Sequence, residues 1–222
     1  ILGSGSSGII FGTSVITFNE GKITAASSNA GGIIGSAASV TFNTTSNITN
    51  EGEIGSLSNA GGIIGASSGT FTVQNSAAVT NKGNVETEEN NAGGIIGLAE
   101  TVTLNTSSIV TNEGDVETIL NNAGGIIGSA KIINVQGKAK AENKGYVETG
   151  GNNAGGIIGF CNENINATTG FLINNAVITA SGSNAGGIAG RIEVAAEKKS
   201  VISMASVTGG SILSASNSGG IA

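Results

Sequence analysis

An Asn-x-Gly-Gly block recurs seven times along the chain at a nearly constant interval, and that interval limits the fold more than any other feature. The first copy is Asn29-Ala30-Gly31-Gly32-Ile33-Ile34-Gly35. Others open at Asn59, Asn91, Asn122, Asn153 and Asn184, and a clipped one reads Asn217-Ser218-Gly219-Gly220-Ile221. The first glycines (Gly31, Gly61, Gly93, Gly124, Gly155, Gly186, Gly219) lie 30, 32, 31, 31, 31 and 33 residues apart. A fixed period of this size belongs to stacked copies of one unit, each covering the apolar face of its neighbour.

Within a unit the apolar residues keep the period of strands. Thr101-Val102-Thr103-Leu104 alternates as a half-buried strand does. Ser108-Ile109-Val110-Thr111 follows, then Asn112-Glu113-Gly114 and Asp115-Val116-Glu117-Thr118. Asn and Gly tolerate positive φ, so Asn-x-Gly is expected to turn a corner between extended segments. Arg191 to Lys199, the nearest approach to a helical stripe, is expected to be a loop or a single turn. The expected fold is all-β: a parallel β-solenoid of about seven coils of roughly 31 residues, one elongated domain over residues 1–222. The chain opens at Ile1 without Met and stops inside a block, so both ends are expected to continue into a longer chain.

Equivalent positions follow from this alignment. Val40, Phe71, Val102 and Ile133 are expected to stack, as are Phe18, Phe42, Val73, Leu104 and Val135. Ile23, Ile54, Val85, Val116 and Val147 form a third row. The middle residue of the corner runs Glu20, Glu51, Lys82, Glu113, Lys144, so from Glu51 onward stacked neighbours carry opposite charges. Glu86, Glu117 and Glu148 instead fall in like-charged succession, and are expected to splay into solvent or to face a cation or partner.

Four rows are candidates for function. The block asparagines Asn29, Asn59, Asn91, Asn122, Asn153 and Asn184 are expected to form a structural amide ladder along the axis. Ile33, Ile63, Ile95, Ile126 and Ile157 form one isoleucine ladder, and Ile34, Ile64, Ile96, Ile127 and Ile158 a second. Under strict alternation one ladder faces outward as a lateral packing surface; if the flanking glycines bend the strand, both turn inward. Thr17, Thr41, Thr72 and Thr103 share a position, and Thr70-Phe71-Thr72 and Thr101-Val102-Thr103 have the Thr-x-Thr form that flat β-solenoids use to bind ice. The alternative reading is therefore a ligand-binding solenoid with ice or a glycan on this row. Asn134 and Asn164 break it, and Lys131 replaces the first threonine. Sequons stand at Asn43, Asn47, Asn105 and Asn166, no more than random order gives, with Asn43 and Asn105 sharing a corner.

The string Asn81-Lys82-Gly83-Asn84-Val85 followed by Asn91-Ala92-Gly93-Gly94-Ile95-Ile96-Gly97 resembles the GLUG-motif repeats of bacterial and protist surface proteins. These include the N-terminal regions of streptococcal IgA-cleaving metalloproteases and adhesin-like chains. The match covers nearly the whole chain. It departs from the pattern in the Asn before each block, in Ala189 for the second Ile, and in Gly209-Gly210 at the last corner. The resemblance implies a cell-surface or secreted setting and a stalk, display or filament role. Partners would be other copies of the chain, packed end to end or laterally, neighbouring domains, or glycans.

Composition bears on other classes. Net charge is −6 and the nine basic residues are scattered, which leaves no footprint for nucleic acid. No apolar run is long enough for a membrane span. Histidine is absent, and the one aspartate, Asp115, lies more than two coils from the one arginine, Arg191. Neither a nucleophile–base pair nor a zinc set can be assembled, and the carboxylates offer no acid/base pair. No catalytic residue, cofactor or metal is expected. The single cysteine, Cys161, occupies the position of Ala37, Ser67, Ala99 and Ala130 and is expected to be a small buried filler.

Overall fold

In the computed structural model, which describes residues 2–194 and 196–221, the chain forms four parallel sheets and no helix among the described residues. Each coil contributes one strand to every sheet. In one coil these are Ile96–Leu104, Ile109–Asn112, Val116–Thr118 and Asn121–Gly124. The long sheet has eight strands, because Ile158–Ala167 pairs with both the short Ala189–Ile192 and Val201–Ile202; the other three have seven. Strands pair only with the corresponding strands of the coils before and after, all in parallel. The molecule is a β-solenoid of about seven turns, and at about 4.8 Å per coil its core is roughly 35 Å long. Arg191 and Ile192 end the strand Ala189–Ile192 instead of entering the expected loop; residues 193–194 and 196–200 lie outside the strands, with a turn at 196–197.

Irregular block intervals have local causes. The 30-residue interval arises where Ser56 to Asn59 spans three residues and other coils take four, as from Thr87 to Asn91. The 32-residue interval arises from a bulge between Ser67 and Phe71 in the long sheet, where Ala37 to Val40 on one side and Ala99 to Val102 on the other are one residue shorter. Asn91, Asn122, Asn153 and Asn184 then adopt φ of 62 to 67°, the left-handed region that Asn enters more readily than most residues.

Apolar residues collect in two separate cores. The larger holds Ile33, Ile34, Val40, Phe42 and Ile48 with their equivalents; the smaller holds Ala30, Ile54, Ala60 and Val85 with theirs. The chain therefore passes from one core to the other twice per coil, once between Ile48 and Ile54 and once between Ala30 and Ile33. Asn50 lies on the first crossing and Gly32 on the second. They meet: a Cβ on Gly32 would fall 2.5 Å from Asn50 Cγ. The coil is thus pinched into two lobes, and the second block glycine is required because the asparagine amide fills the space of its missing side chain.

The first block glycine has a different reason. A Cβ on Gly93 would fall 2.0 Å from the Ile96 carbonyl oxygen, as the chain doubles back to begin the long strand. That reversal decides the isoleucine pairs. Ile95 N–H and Ile96 N–H both donate to the Ile126 carbonyl, at 3.0 Å each, so alternation is broken between them. Both side chains turn into the larger core. Ile34, Ile64, Ile96, Ile127 and Ile158 are as buried as Ile33, Ile63, Ile95, Ile126 and Ile157, so neither ladder is a lateral surface.

Three other expectations change. The Asn-x-Gly glycines are not in the left-handed region; Gly83 is needed because a Cβ there would fall 2.0 Å from the Gly52 carbonyl oxygen of the coil before. Phe18 stacks on Thr49 in the second sheet, while Phe11 takes the place beside Phe42, with ring centroids 4.9 Å apart. Thr17 stacks on Ile48 and leaves the threonine row. The first coil joins the pattern through Leu2–Phe11, which shifts both assignments. The remaining rows stack as expected, including Val40-Phe71-Val102-Ile133 and Ile23-Ile54-Val85-Val116-Val147.

Candidate functional site

Stacking in register places like side chains directly above one another, so the sequence-predicted candidates are rows of one residue type. The block asparagines make one such row on the fourth sheet. Asn59 Nδ2 donates to Asn29 Oδ1 at 2.7 Å, Asn91 to Asn59 at 2.8 Å, and Asn122 to Asn91 at 2.9 Å. Asn153, Asn184 and Asn217 continue the chain at 2.9, 2.9 and 3.0 Å. Each amide spends one donor and one acceptor on its neighbours and retains one of each.

A second asparagine row lies deeper and was not singled out in the sequence. Asn50, Asn81, Asn112, Asn143 and Asn174 are fully buried at the first crossing between cores. Asn50 Nδ2 donates to Asn81 Oδ1 at 2.8 Å and to the Gly52 carbonyl at 2.7 Å, and this pattern repeats along the column. The bond to the Gly carbonyl fixes which side of the amide carries nitrogen. In this inner column each amide donates toward the C-terminal coil; in the outer row each donates toward the N-terminal coil. The amide dipoles of the two columns therefore oppose one another along the axis. The signal in the sequence is the recurrent Asn of Asn-x-Gly, which the turn alone is enough to explain.

The threonine row is short. Thr41, Thr72 and Thr103 stack on the outer face of the long sheet, all half-buried, with Ile10 before them and Asn134 and Asn166 after. Asn166, not Asn164, holds that position; Asn164 follows Ile132, which replaces Thr101. Lys131 stands one position earlier and pairs with Glu100 at 2.9 Å.

Charged rows divide by sign. Lys82 meets Glu51 at 2.6 Å and Lys144 meets Glu113 at 2.9 Å, so the alternating corner closes as two exposed pairs. Lys22 reaches Glu53 at 2.9 Å on the next corner position. Hydrogen bonds to these glutamates push the three lysines above their ordinary range. Among the described residues Glu86, Glu117 and Glu148 stack with no basic side chain between them, along a groove of about 830 Å³ that Lys22, Leu57, Ile119 and Thr118 also line. Partial burial, then the charges of Glu148, Glu86 and Asp115, raises the Glu117 carboxyl above the usual carboxylate range.

Sequon positions differ in access. Asn47 is exposed; Asn43, Asn105 and Asn166 are half-buried. Asn105 Nδ2 donates to Gln74 Oε1 at 3.0 Å, and Gln74 stands between Asn43 and Asn105 at their shared corner. Cys161 is fully buried against Ala130, and burial pushes its thiol up. Compared with protein-family models, curated proteins and solved structures, the chain matches none of them.

Proposed function

We propose that the chain is a structural rod segment of an extracellular or cell-surface protein, acting as a stalk, an adhesin-type display element or a filament building block. The observation that carries this reading is the paired asparagine columns, which run coil to coil without interruption from Asn19 to Asn174 and from Asn29 to Asn217. Side-chain chains of this kind reinforce the backbone ladder along one axis, which is the direction in which a stalk is loaded. The GLUG-like blocks favour a surface setting, and the partners would be further copies of the chain, adjoining domains or glycans. Immunogold electron microscopy of cells that make the protein tests it. Label on surface filaments or stalks is the expected result; label confined to the cell interior would contradict the reading.

A further inference from the structure

Where the fourth sheet doubles back onto the long sheet, a groove of about 570 Å³ runs along the axis. One lip carries two parallel amide columns. The outer row passes through Asn122 and Asn153, and beside it Asn152 Nδ2 donates to Asn121 Oδ1 at 3.1 Å. The other lip carries Phe160, with the Arg191 guanidinium 5.9 Å from its ring centroid. The lining extends from Asn90 to Asn217, five coils, or about 19 Å at the strand spacing.

The chemistry of this lining is specific. Each amide in the outer row keeps an unspent donor beside an unspent acceptor, half-buried at Asn91, Asn122 and Asn184 and buried at Asn153. Hydroxyl groups both donate and accept, so a chain of them meets such a surface without leaving either capacity unmatched. The half-buried Phe160 ring supplies an apolar face against which the C–H face of a pyranose packs. No carboxylate lines the groove, and its one cation, Arg191, is paired with Glu193. The lining thus offers no unpaired charge to an ionic ligand.

We propose that this groove binds a neutral, linear oligosaccharide laid along the solenoid axis. The site is separate from the threonine row, and it does not depend on the rod reading. Because the amides repeat at every coil, affinity rises with chain length until the groove is filled.

The test is calorimetric titration of the intact chain with neutral hexasaccharides (cello-, xylo-, manno- and chitohexaose), their trisaccharides, and hexagalacturonate as the acidic control. Binding of at least one neutral hexasaccharide is expected, weaker for its trisaccharide and at least tenfold weaker in Phe160→Ala and in Asn121→Ala. Circular dichroism melting of both variants guards against loss of fold, and Lys138→Gln, exposed and outside the groove lining, provides a variant expected to leave both packing and neutral-sugar binding unchanged. No binding of any neutral hexasaccharide would overturn the proposal. So would binding of hexagalacturonate alone, binding unchanged in both folded groove variants, or a concentration-dependent dimer abolished by Phe160→Ala, which would assign the face to a second copy of the chain.

Discussion

The amide of Asn112 occupies the space where Gly94 would carry a side chain: a Cβ on Gly94 would fall 2.3 Å from Asn112 Cγ. The two residues lie on opposite crossings between the cores, and the same contact joins Gly62 to Asn81 and Gly125 to Asn143. Gly94→Ala is therefore expected to be among the most damaging single changes, because the Gly125 carbonyl oxygen also lies only 2.1 Å from the same Cβ. Neither neighbour is a flexible side-chain tip. Loss of cooperative unfolding, or of soluble protein, is the expected outcome, against near-normal behaviour for Gly3→Ala, where nothing lies within 4 Å.

The two asparagine columns are expected to differ in worth. Asn112→Ala removes bonds to Asn143 and to the Gly114 carbonyl and leaves buried partners unsatisfied, which costs about 2–4 kcal/mol. Asn59→Ala, in the part-exposed row and without the left-handed backbone of Asn122, costs about 1 kcal/mol or less, since water replaces the lost partners. Urea denaturation of the two variants measures both; equal losses would remove the distinction between columns.

How much of the fold is legible in the sequence depends on the row. The block interval and the alternation around Val102 and Leu104 led directly to the parallel stack, because backbone pairing repeats whatever the side chains are. The isoleucine pairs were ambiguous, since a period-two pattern cannot say whether alternation survives a chain reversal; only the bifurcated acceptance at Ile126 settles that. The inner asparagine column was hidden for another reason. Asn112 has a sufficient local explanation in its turn, and the lobed cross-section that buries it depends on contact with Gly94, eighteen positions earlier in sequence. Thr17 and Phe18 were misplaced because the first coil lacks a block to count from.

Burial of both isoleucine ladders has a direct consequence. Ile96→Ala and Ile95→Ala are each expected to cost about 2–5 kcal/mol, the range for emptying a packed core site. Neither change should alter self-association. Sedimentation velocity alongside thermal melting checks this; a variant at Ile96 that melts normally but loses an oligomer would restore the lateral-surface reading.

The stacked glutamates predict a pH dependence. A carboxyl whose folded value is raised binds its proton more tightly when folded, so stability gained from this group is present at low pH. It is lost as pH rises through the folded value. Glu117→Gln is thus expected to raise the melting temperature at neutral pH, with the advantage disappearing below the ordinary carboxylate range. An unchanged or lower melting temperature at neutral pH would mean that the row is already neutralised by a bound cation or by solvent.

Cys161 is expected to behave as filler. Its thiol is fully buried and held above its usual range by that burial, so thiolate is scarce and access is blocked. Maleimide labelling should proceed only at the rate of unfolding. Rapid labelling of the folded chain would show that the long sheet opens locally between Ala130 and Ile192.

In-register stacking along one axis is the claim on which the rest depends, and spin-label distances test it most directly. Labels would be placed at Thr41 and, in separate samples, at Thr103, Asn134 and Asn166, which stand two, three and four coils away on one outer row. Stacked coils predict mean distances that grow in even steps of about 4.8 Å per coil. Distances that fail to increase from Thr103 to Asn166, or that scatter without a common step, would contradict it.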